Sequence, residues 1–529
     1  MLHSLVPRSA SRVIFLIAFV LYATIGWIGA FVLETYNYDG LARSAQAFSV
    51  FFSRDPHLAA IGFVWMPLPV LSNLPLVYLL KPLGWVLWAG PLMSAFYTAL
   101  ALAALYEVLG DFELPRAWRV VWVVGLGAHP LIVHNGAMGL SEAPLLACLF
   151  LAFRGFVAWD REGKPWGILW GGIWSALAVF CRYEALAWVA AVIFAMLWRW
   201  WLDPSRYPPR ALQASVLAYA MPPAYALAGW VFANALIMGN PIYFLVGPGS
   251  TATTPDTAQA VGPSHPFAYA HNSVAGSVVL LWRHITDLAP LLIFATLLLG
   301  VSIVWQRRWS EVSYLALGWS ILGFTFFTAW RGLLPPFTRY FFWIVPASVI
   351  IAVAAYRCVG ERRLRALTLV TTTCLLLAPF LWLIPRALER LPEPYPLRLV
   401  GAFVLPPEVT DYRQVRGQLD EFKAIAAYLN AQTPPQTTLL DAAIGSPILF
   451  FLTRPETLVL TTDRDFKLVL SAPVGRVDQV LVPYPSVDAR GRSDIFKRYP
   501  ALYDGQAWTR LVHEFPGPNA WRLYRIVPP

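Results

Sequence analysis

Eleven apolar runs set the limits on how this chain folds. They lie at about 13–33, 85–109, 119–134, 141–159, 166–181, 184–202, 211–237, 285–305, 312–330, 338–356 and 366–385 of 529 residues. A helix of about 20 apolar residues crosses the hydrocarbon core of a bilayer. Inside lipid, a helix satisfies every backbone polar group by itself. Only 13% of residues are charged, against roughly a quarter in soluble proteins. The expectation is a polytopic α-helical membrane protein of about 11 transmembrane helices. Arg8 and Arg12 precede the first run, which continues to Leu33 without a small-residue cleavage site. It reads as a retained signal anchor rather than a cleaved leader.

The basic residues orient these runs. With the N-terminus cytoplasmic, fifteen Lys and Arg fall in inner loops and seven in outer loops, the asymmetry of a multi-pass plasma-membrane protein. An odd number of spans then places the C-terminal part outside the cell. Of the net charge of +10, +8 belongs to residues 1–385 (23 Lys and Arg, 15 Asp and Glu) and +2 to 386–529 (17 and 15). Topology accounts for that excess, so nucleic acid need not be invoked. The four cysteines fall in or beside apolar runs without disulfide or metal spacing, as packing residues do. An aromatic content of 15%, with 24 Trp, fits interfacial belts and a carbohydrate-handling cavity equally well.

The division expected is a membrane domain over 1–385, a Pro-rich linker over 386–410 and a soluble α/β extracytoplasmic domain over 411–529. Outer segment 34–84 contains two amphipathic stretches, LARSAQAFSVFF and PLPVLSNLPLVYLL, suited to interfacial helices. Outer segment 238–284 is rich in Gly, Pro, Ser and Thr, the composition of a lid or of disorder. In the tail, a helix-period segment precedes short β-type runs, among them TTLLDA, SPILFFLTR, TLVL and DQVLVPY. No glycine-rich phosphate loop follows a strand there.

Carboxylates are sparse at the outer ends of the runs, and two occur in ETYNYDG after the first, Glu34 and Asp39. A carboxylate where water meets lipid suits proton transfer. The competing reading is an Asx turn in Asn-Tyr-Asp-Gly. Asp55, His57 and Trp65 offer a polar cavity wall or a loop corner. His134 and Glu142 flank the fourth run, where Glu142 serves a site or sits in the first turn of a helix capped by Ser141. Arg182 and Glu184, between two tightly connected runs, form a structural pair or a phosphate site. Arg283 with His284, Arg331, and Arg339 with Tyr340 fall at outer ends, to snorkel or to converge on an anionic headgroup.

In order along the chain, YNYDG, DPHLAAIGFVWMPLPVL, LSEAPLLACLFLAF, RYEALAWV, GNPIYF and TRYFFWIVPA resemble the GT-C class of membrane glycosyltransferases. That class includes protein O-mannosyltransferases and lipid A aminoarabinose transferases, and the resemblance spans about residues 12–385. It implies a polyprenyl-phosphate-linked sugar donor entering from the bilayer and an inverting displacement on the outer face, with a lipid, glycan or protein acceptor. By resemblance Asp39 is the base, and Arg182 and Arg339 hold the donor phosphate. A divalent ion is used by some members of the class and stays open. Protein O-mannosyltransferases carry Asp-Glu where this chain has Asp39-Gly40, which weakens a protein acceptor. Two other readings are a transporter or flippase, for which Arg154 within a run is the main sign, and a ligase using a diphosphate-linked donor.

Overall fold

The computed structural model describes residues 9–247, 250, 266–388 and 410–528. Arg8, most of the 238–284 segment between its helices, and most of the Pro-rich linker lie outside the described residues. All eleven apolar runs fall on helices. Among the described residues, eight helices are long and apolar enough to cross a membrane, and up to ten crossings result if two bent pairs each count as one. The run at 166–181 is a helix of 17 residues, Pro165–Cys181. The chain is thus a multi-pass helical membrane protein.

The helices used below are α1 (Ser9–Phe31), α2 (Tyr38–Phe52), α3 (Leu68–Leu80), α4 (Ala89–Asp111), α5 (Arg116–Ala128), α6 (Pro130–Ala137), α7 (Glu142–Glu162), α8 (Pro165–Cys181), α9 (Ala185–Leu202) and α10 (Pro209–Met238). The span containing α4, then α7 and the span Thr338–Cys358, are the most enclosed and make the centre of the bundle, while α1 and α10 expose most of their surface. Helices α5 and α6 meet at 67°, because Pro130 has no amide hydrogen to continue the first helix. Farther on, Val274–Leu288 and Leu291–Trp305 meet at 102° across Ala289–Pro290. That break corrects one expectation. Arg283 and His284 belong to a separate helix lying across the next one, not to the outer end of a continuous span.

Charge collects at both ends of α7. Near its last turn, Asp160 pairs with Arg199 at 2.9 Å and accepts the Tyr314 hydroxyl at 3.0 Å. Between those ends Arg154 pairs with Glu107 at 3.4 Å and Asp111 at 3.7 Å. Glu142 opens the helix. With ~1.5 Å rise per residue, Glu142 and Asp160 stand about 27 Å apart, at opposite ends of the helix.

The two amphipathic stretches after α1 are helices α2 and α3. Asn37 caps α2, its side-chain oxygen accepting the Asp39 amide at 3.0 Å. The Asx geometry anticipated for Asn-Tyr-Asp-Gly therefore starts a helix and places Asp39 in its first turn. Gly40 and Gly139 set the depth of α2. A Cβ on Gly40 would stand 2.1 Å from the Met138 carbonyl oxygen. Gly139, at φ +74°, lies against Gly90 of α4, a conformation that disfavours other residues. This close approach brings the start of α2 against the α6–α7 turn.

The C-terminal domain carries a five-stranded sheet of order β2-β1-β3-β5-β4: β1 (Thr438–Leu440), β2 (Leu458–Leu460), β3 (Gln479–Val482), β4 (Thr509–Phe515) and β5 (Trp521–Ile526). β1 pairs in parallel with β2 and β3, while β5 is antiparallel to β3 and β4. SPILFF, grouped above with β-type runs, is a 3-10 helix, Ser446–Phe451. Its role is docking. Ile448 and Leu449, with Phe422 and Ile425 of the Thr410–Ala431 helix, share one apolar core with Phe48 of α2 and Val70 and Val77 of α3. The sheet domain and the 34–84 segment consequently form one packed unit.

Gly40→Ala must push α2 away from the α6–α7 turn. The expected cost is about 1–3 kcal/mol, as for other overpacked interiors. Thermal unfolding of the purified protein in lipid nanodiscs measures it, and an unchanged midpoint would show that α2 has room to move.

Candidate active site at the junction of α2 and the C-terminal domain

Three arginines and three carboxylates from four separate segments meet at the start of α2. Arg339, in the turn Thr338–Phe341, forms an ion pair with the Asp39 carboxylate and donates to Asn37 Oδ1 at 3.5 Å. Arg182, between α8 and α9, donates to Glu142 at 3.0 Å and Glu184 at 2.5 Å. It also donates to the Ser141 hydroxyl at 3.2 Å. Arg43, one helical turn beyond Asp39, donates to the Asp39 carbonyl at 3.2 Å and to Ser141 Oγ at 3.3 Å. The Tyr340 ring lies 5.0 Å from the Arg182 guanidinium and 5.3 Å from that of Arg339, and Trp65 lies 4.6 Å from that of Arg43.

Burial of so many charges costs several kcal/mol per ion unless they are paired. The cluster holds equal numbers of each sign, and its pairs share Ser141 as a neutral bridge. Burial opposes the Arg182 charge, but Glu184 and Glu142 outweigh it and lift the guanidinium above its ordinary value. Arg43 differs. Burial pushes it down, with Asp39 and Glu142 acting in the opposite sense. Among the described residues no carboxylate lies within ion-pair distance of Arg43, and its Nε has no hydrogen-bond partner. Of the three, Arg43 is the one without a carboxylate ion pair, while Arg339 Nε likewise lacks a hydrogen-bond partner.

A cavity of about 190 Å³ opens beside Asp39. One wall is α2, through Tyr38, Asp39, Gln46 and Ser49, with Trp65 beside it; the facing wall is the C-terminal domain, through Ala442, Ala443, Ser446, Thr461 and Thr462. A much smaller cavity, of about 20 Å³ and mainly apolar in lining, lies beside Asn37 and Gly40 among Ala30, Leu41, Leu87, Pro91, Met138 and Leu419.

The residues singled out in the sequence divide between this cluster and other duties. Asp39, Glu142, Arg182, Glu184, Arg339, Tyr340 and Trp65 come together. His284 stands behind them: its ring stacks on Phe341 at 3.7 Å, and its Nδ1 donates to the Leu280 carbonyl at 2.9 Å, supporting the turn that carries Arg339. His134 is buried in α6. Arg283 and Arg331 are exposed, and the Arg331 guanidinium lies 5.9 Å from the Trp330 ring. Glu34, Asp55 and His57 sit at the domain junction. Glu34 binds Lys423 at 2.6 Å, and Asp55 pairs with Arg464, which holds its carboxyl below the usual range. His57 Nδ1 donates to the Asp55 carbonyl at 2.6 Å. Nearby, Arg54 reaches Asp463 at 3.1 Å. Among the described residues no three of His, Cys, Asp and Glu are grouped to hold a metal ion.

Arg43, Asn37, Ser141 and Gln46 were not anticipated as site residues. Arg43 had one available signal, its spacing of four from Asp39, which puts both on one face if the segment is a helix.

Arg182→Ala would strand Glu142 and Glu184 in the interior. A loss of about 3–5 kcal/mol is expected, as for other broken buried pairs. Unfolding in nanodiscs checks this, and Arg182→Met with Glu142→Gln and Glu184→Gln should recover part of it.

No protein-family description matches the chain, and no curated protein matches it by sequence. Solved structures do. ArnT from Cupriavidus metallidurans bound to undecaprenyl phosphate superposes with a TM-score of 0.53 at 13% identity, covering 97% of this chain and 99% of that one. The apo state of the same ArnT gives 0.49 at 12% identity with the same coverage. ArnT is a lipid A aminoarabinose transferase of the GT-C class. At this identity the likeness is one of fold: the chain has the polytopic helical architecture of ArnT, small C-terminal sheet domain included.

Proposed function

We propose that the protein is a membrane glycosyltransferase that moves a sugar from a polyprenyl-phosphate donor to an acceptor hydroxyl on the outer face of the membrane. The observation that carries this reading is the joining of Asp39 and three arginines in one buried cluster beside an open cavity. The ArnT-like fold supports it, since that ArnT was crystallised with undecaprenyl phosphate. The basic inner loops support the outward orientation.

In this mechanism Asp39 accepts the proton of the acceptor hydroxyl as the acceptor oxygen bonds to the anomeric carbon. The bond between that carbon and the phosphate oxygen breaks on the opposite side, inverting the configuration. The departing polyprenyl phosphate keeps the bonding electrons. Arg43, Arg182 and Arg339 stabilise the charge that grows on it. Without donor, Arg339 holds Asp39 in an ion pair. A phosphate competes for the same guanidinium, so donor binding frees the base. Within its span Arg154 is already paired with Glu107 and Asp111, which weakens the main sign for a transporter.

Asp39→Asn should cut transfer from an undecaprenyl-phosphate-linked sugar by about 10²–10⁴-fold while the protein still folds. Radiolabel transfer in reconstituted membranes measures it, and near-normal turnover would remove Asp39 as the base. Arg43→Gln should weaken donor binding about tenfold or more, the loss of one charge-assisted hydrogen bond of ~1.5–3 kcal/mol. Titration with undecaprenyl phosphate alone reads it directly, and unaltered affinity would place the phosphate elsewhere.

A further inference from the structure

One uncharged side chain holds two of the arginines at once. We propose that Ser141 is a positioning residue: its hydroxyl fixes Arg43 beside Arg182, so that both guanidiniums meet one phosphate group without rearranging. The proposal rests on the glycosyltransferase reading for the identity of the donor. The arrangement itself stands on hydrogen bonds made without donor.

Three observations support it. First, Ser141 stands immediately before α7, where a serine ordinarily caps a helix, and the sequence suggested that duty. The structure differs: the Ser141 backbone is already helical (φ −71°, ψ −15°), and its side chain makes no capping bond. The hydroxyl goes to other partners instead. Its oxygen accepts Arg43 Nη2 at 3.3 Å and Arg182 Nη1 at 3.2 Å, and it donates to Glu142 Oε2 at 3.4 Å. One hydrogen and two lone pairs are all that a hydroxyl has, and all are used in a residue 2% exposed. Second, the two arginines depend on it unequally. Arg182 is also held by Glu142 and Glu184. Among the described residues Arg43 has no carboxylate within ion-pair distance; besides Ser141 it donates to the Asp39 carbonyl at 3.2 Å and lies over Trp65. Ser141 thus places the far end of Arg43, and a long side chain fixed beforehand has already lost its rotamer freedom when the donor arrives. Third, the turn that carries Ser141 is anchored. Ser94 Oγ of α4 donates to the Gly136 carbonyl at 2.9 Å and accepts the Gly139 amide at 3.0 Å. The hydroxyl therefore stays where α4 sets it, and the arginines follow.

A neutral oxygen suits this task. A carboxylate in its place would form charge-assisted bonds to both guanidiniums and rival a phosphate for them, whereas hydrogen bonds to a hydroxyl are weaker and yield to an anion. Charge growing on the departing phosphate then faces donors already in position, which is where preorganised groups accelerate a reaction most.

The test begins without turnover. The full chain in nanodiscs is titrated with undecaprenyl phosphate alone. Ser141→Ala should bind it about fivefold more weakly than wild type; if that variant fails to fold, Ser141→Cys, of similar size and a poor acceptor, takes its place. A double-mutant cycle with Arg43→Gln separates positioning from packing. Where Ser141 acts through Arg43, its replacement should add less than about twofold to the loss already caused by Arg43→Gln. The full fivefold loss in both backgrounds would overturn the proposal, as would unaltered affinity in the wild-type background. The second arm follows transfer from an undecaprenyl-phosphate-linked hexose. Replacing Ser141 should lower kcat about tenfold or more and leave the acceptor KM unchanged, and an unchanged kcat overturns the proposal. If the cycle shows coupling while wild type transfers no sugar, the glycosyltransferase reading fails and the positioning of the two arginines on a phosphate stands.

Discussion

Burial of like charges beside one another is the constraint on which the end of the bundle nearest the C-terminal domain is organised. Arg43, Arg182 and Arg339 are brought within one cluster, and such an arrangement folds only because Asp39, Glu142 and Glu184 come with them. Each carboxylate arrives on a different element from the arginine it neutralises, apart from the short Arg182–Glu184 link. The pairing therefore ties α2, the α6–α7 turn, the α8–α9 junction and the Thr338–Phe341 turn together.

The C-terminal domain is held to the same region by different forces. An apolar core shared with α2 and α3 supplies most of the contact, and Glu34–Lys423, Arg54–Asp463 and Asp55–Arg464 ring its edge. Exposed or half-exposed pairs of this sort add little energy. They fix register, so that Ala443, Ser446 and Thr462 face the start of α2 at one defined distance. The interior of the bundle and the sheet domain thus meet at Asp39, each contributing one side of the space around it.

Much of the architecture was readable from local pattern. The apolar runs all became helices, and the helical nature of LARSAQAFSVFF followed from its amphipathic spacing. The break at Ala289–Pro290 was not readable, because hydrophobicity continues across it while the backbone turns by 102°. SPILFF was misleading for a related reason. A continuous apolar run of six residues suits a buried strand or a buried helix alike, and its docking against Phe48 selects the helix. Among the polar residues, Glu34 and Asp39 have the same chemical type and lie five positions apart, yet one binds the C-terminal domain and the other faces the cavity.

The sequence by itself determined that this chain crosses a membrane many times and that its polar groups gather at the ends of apolar helices. Those properties follow from composition over windows of about twenty residues, which solvent and lipid act on directly. Only tertiary structure decided which carboxylate meets which arginine, that Arg43 belongs among them, and that the sheet domain walls the cavity. Such pairings depend on how distant segments approach, at positions like Gly40 against Met138, and no local pattern encodes a distance between residues three hundred positions apart.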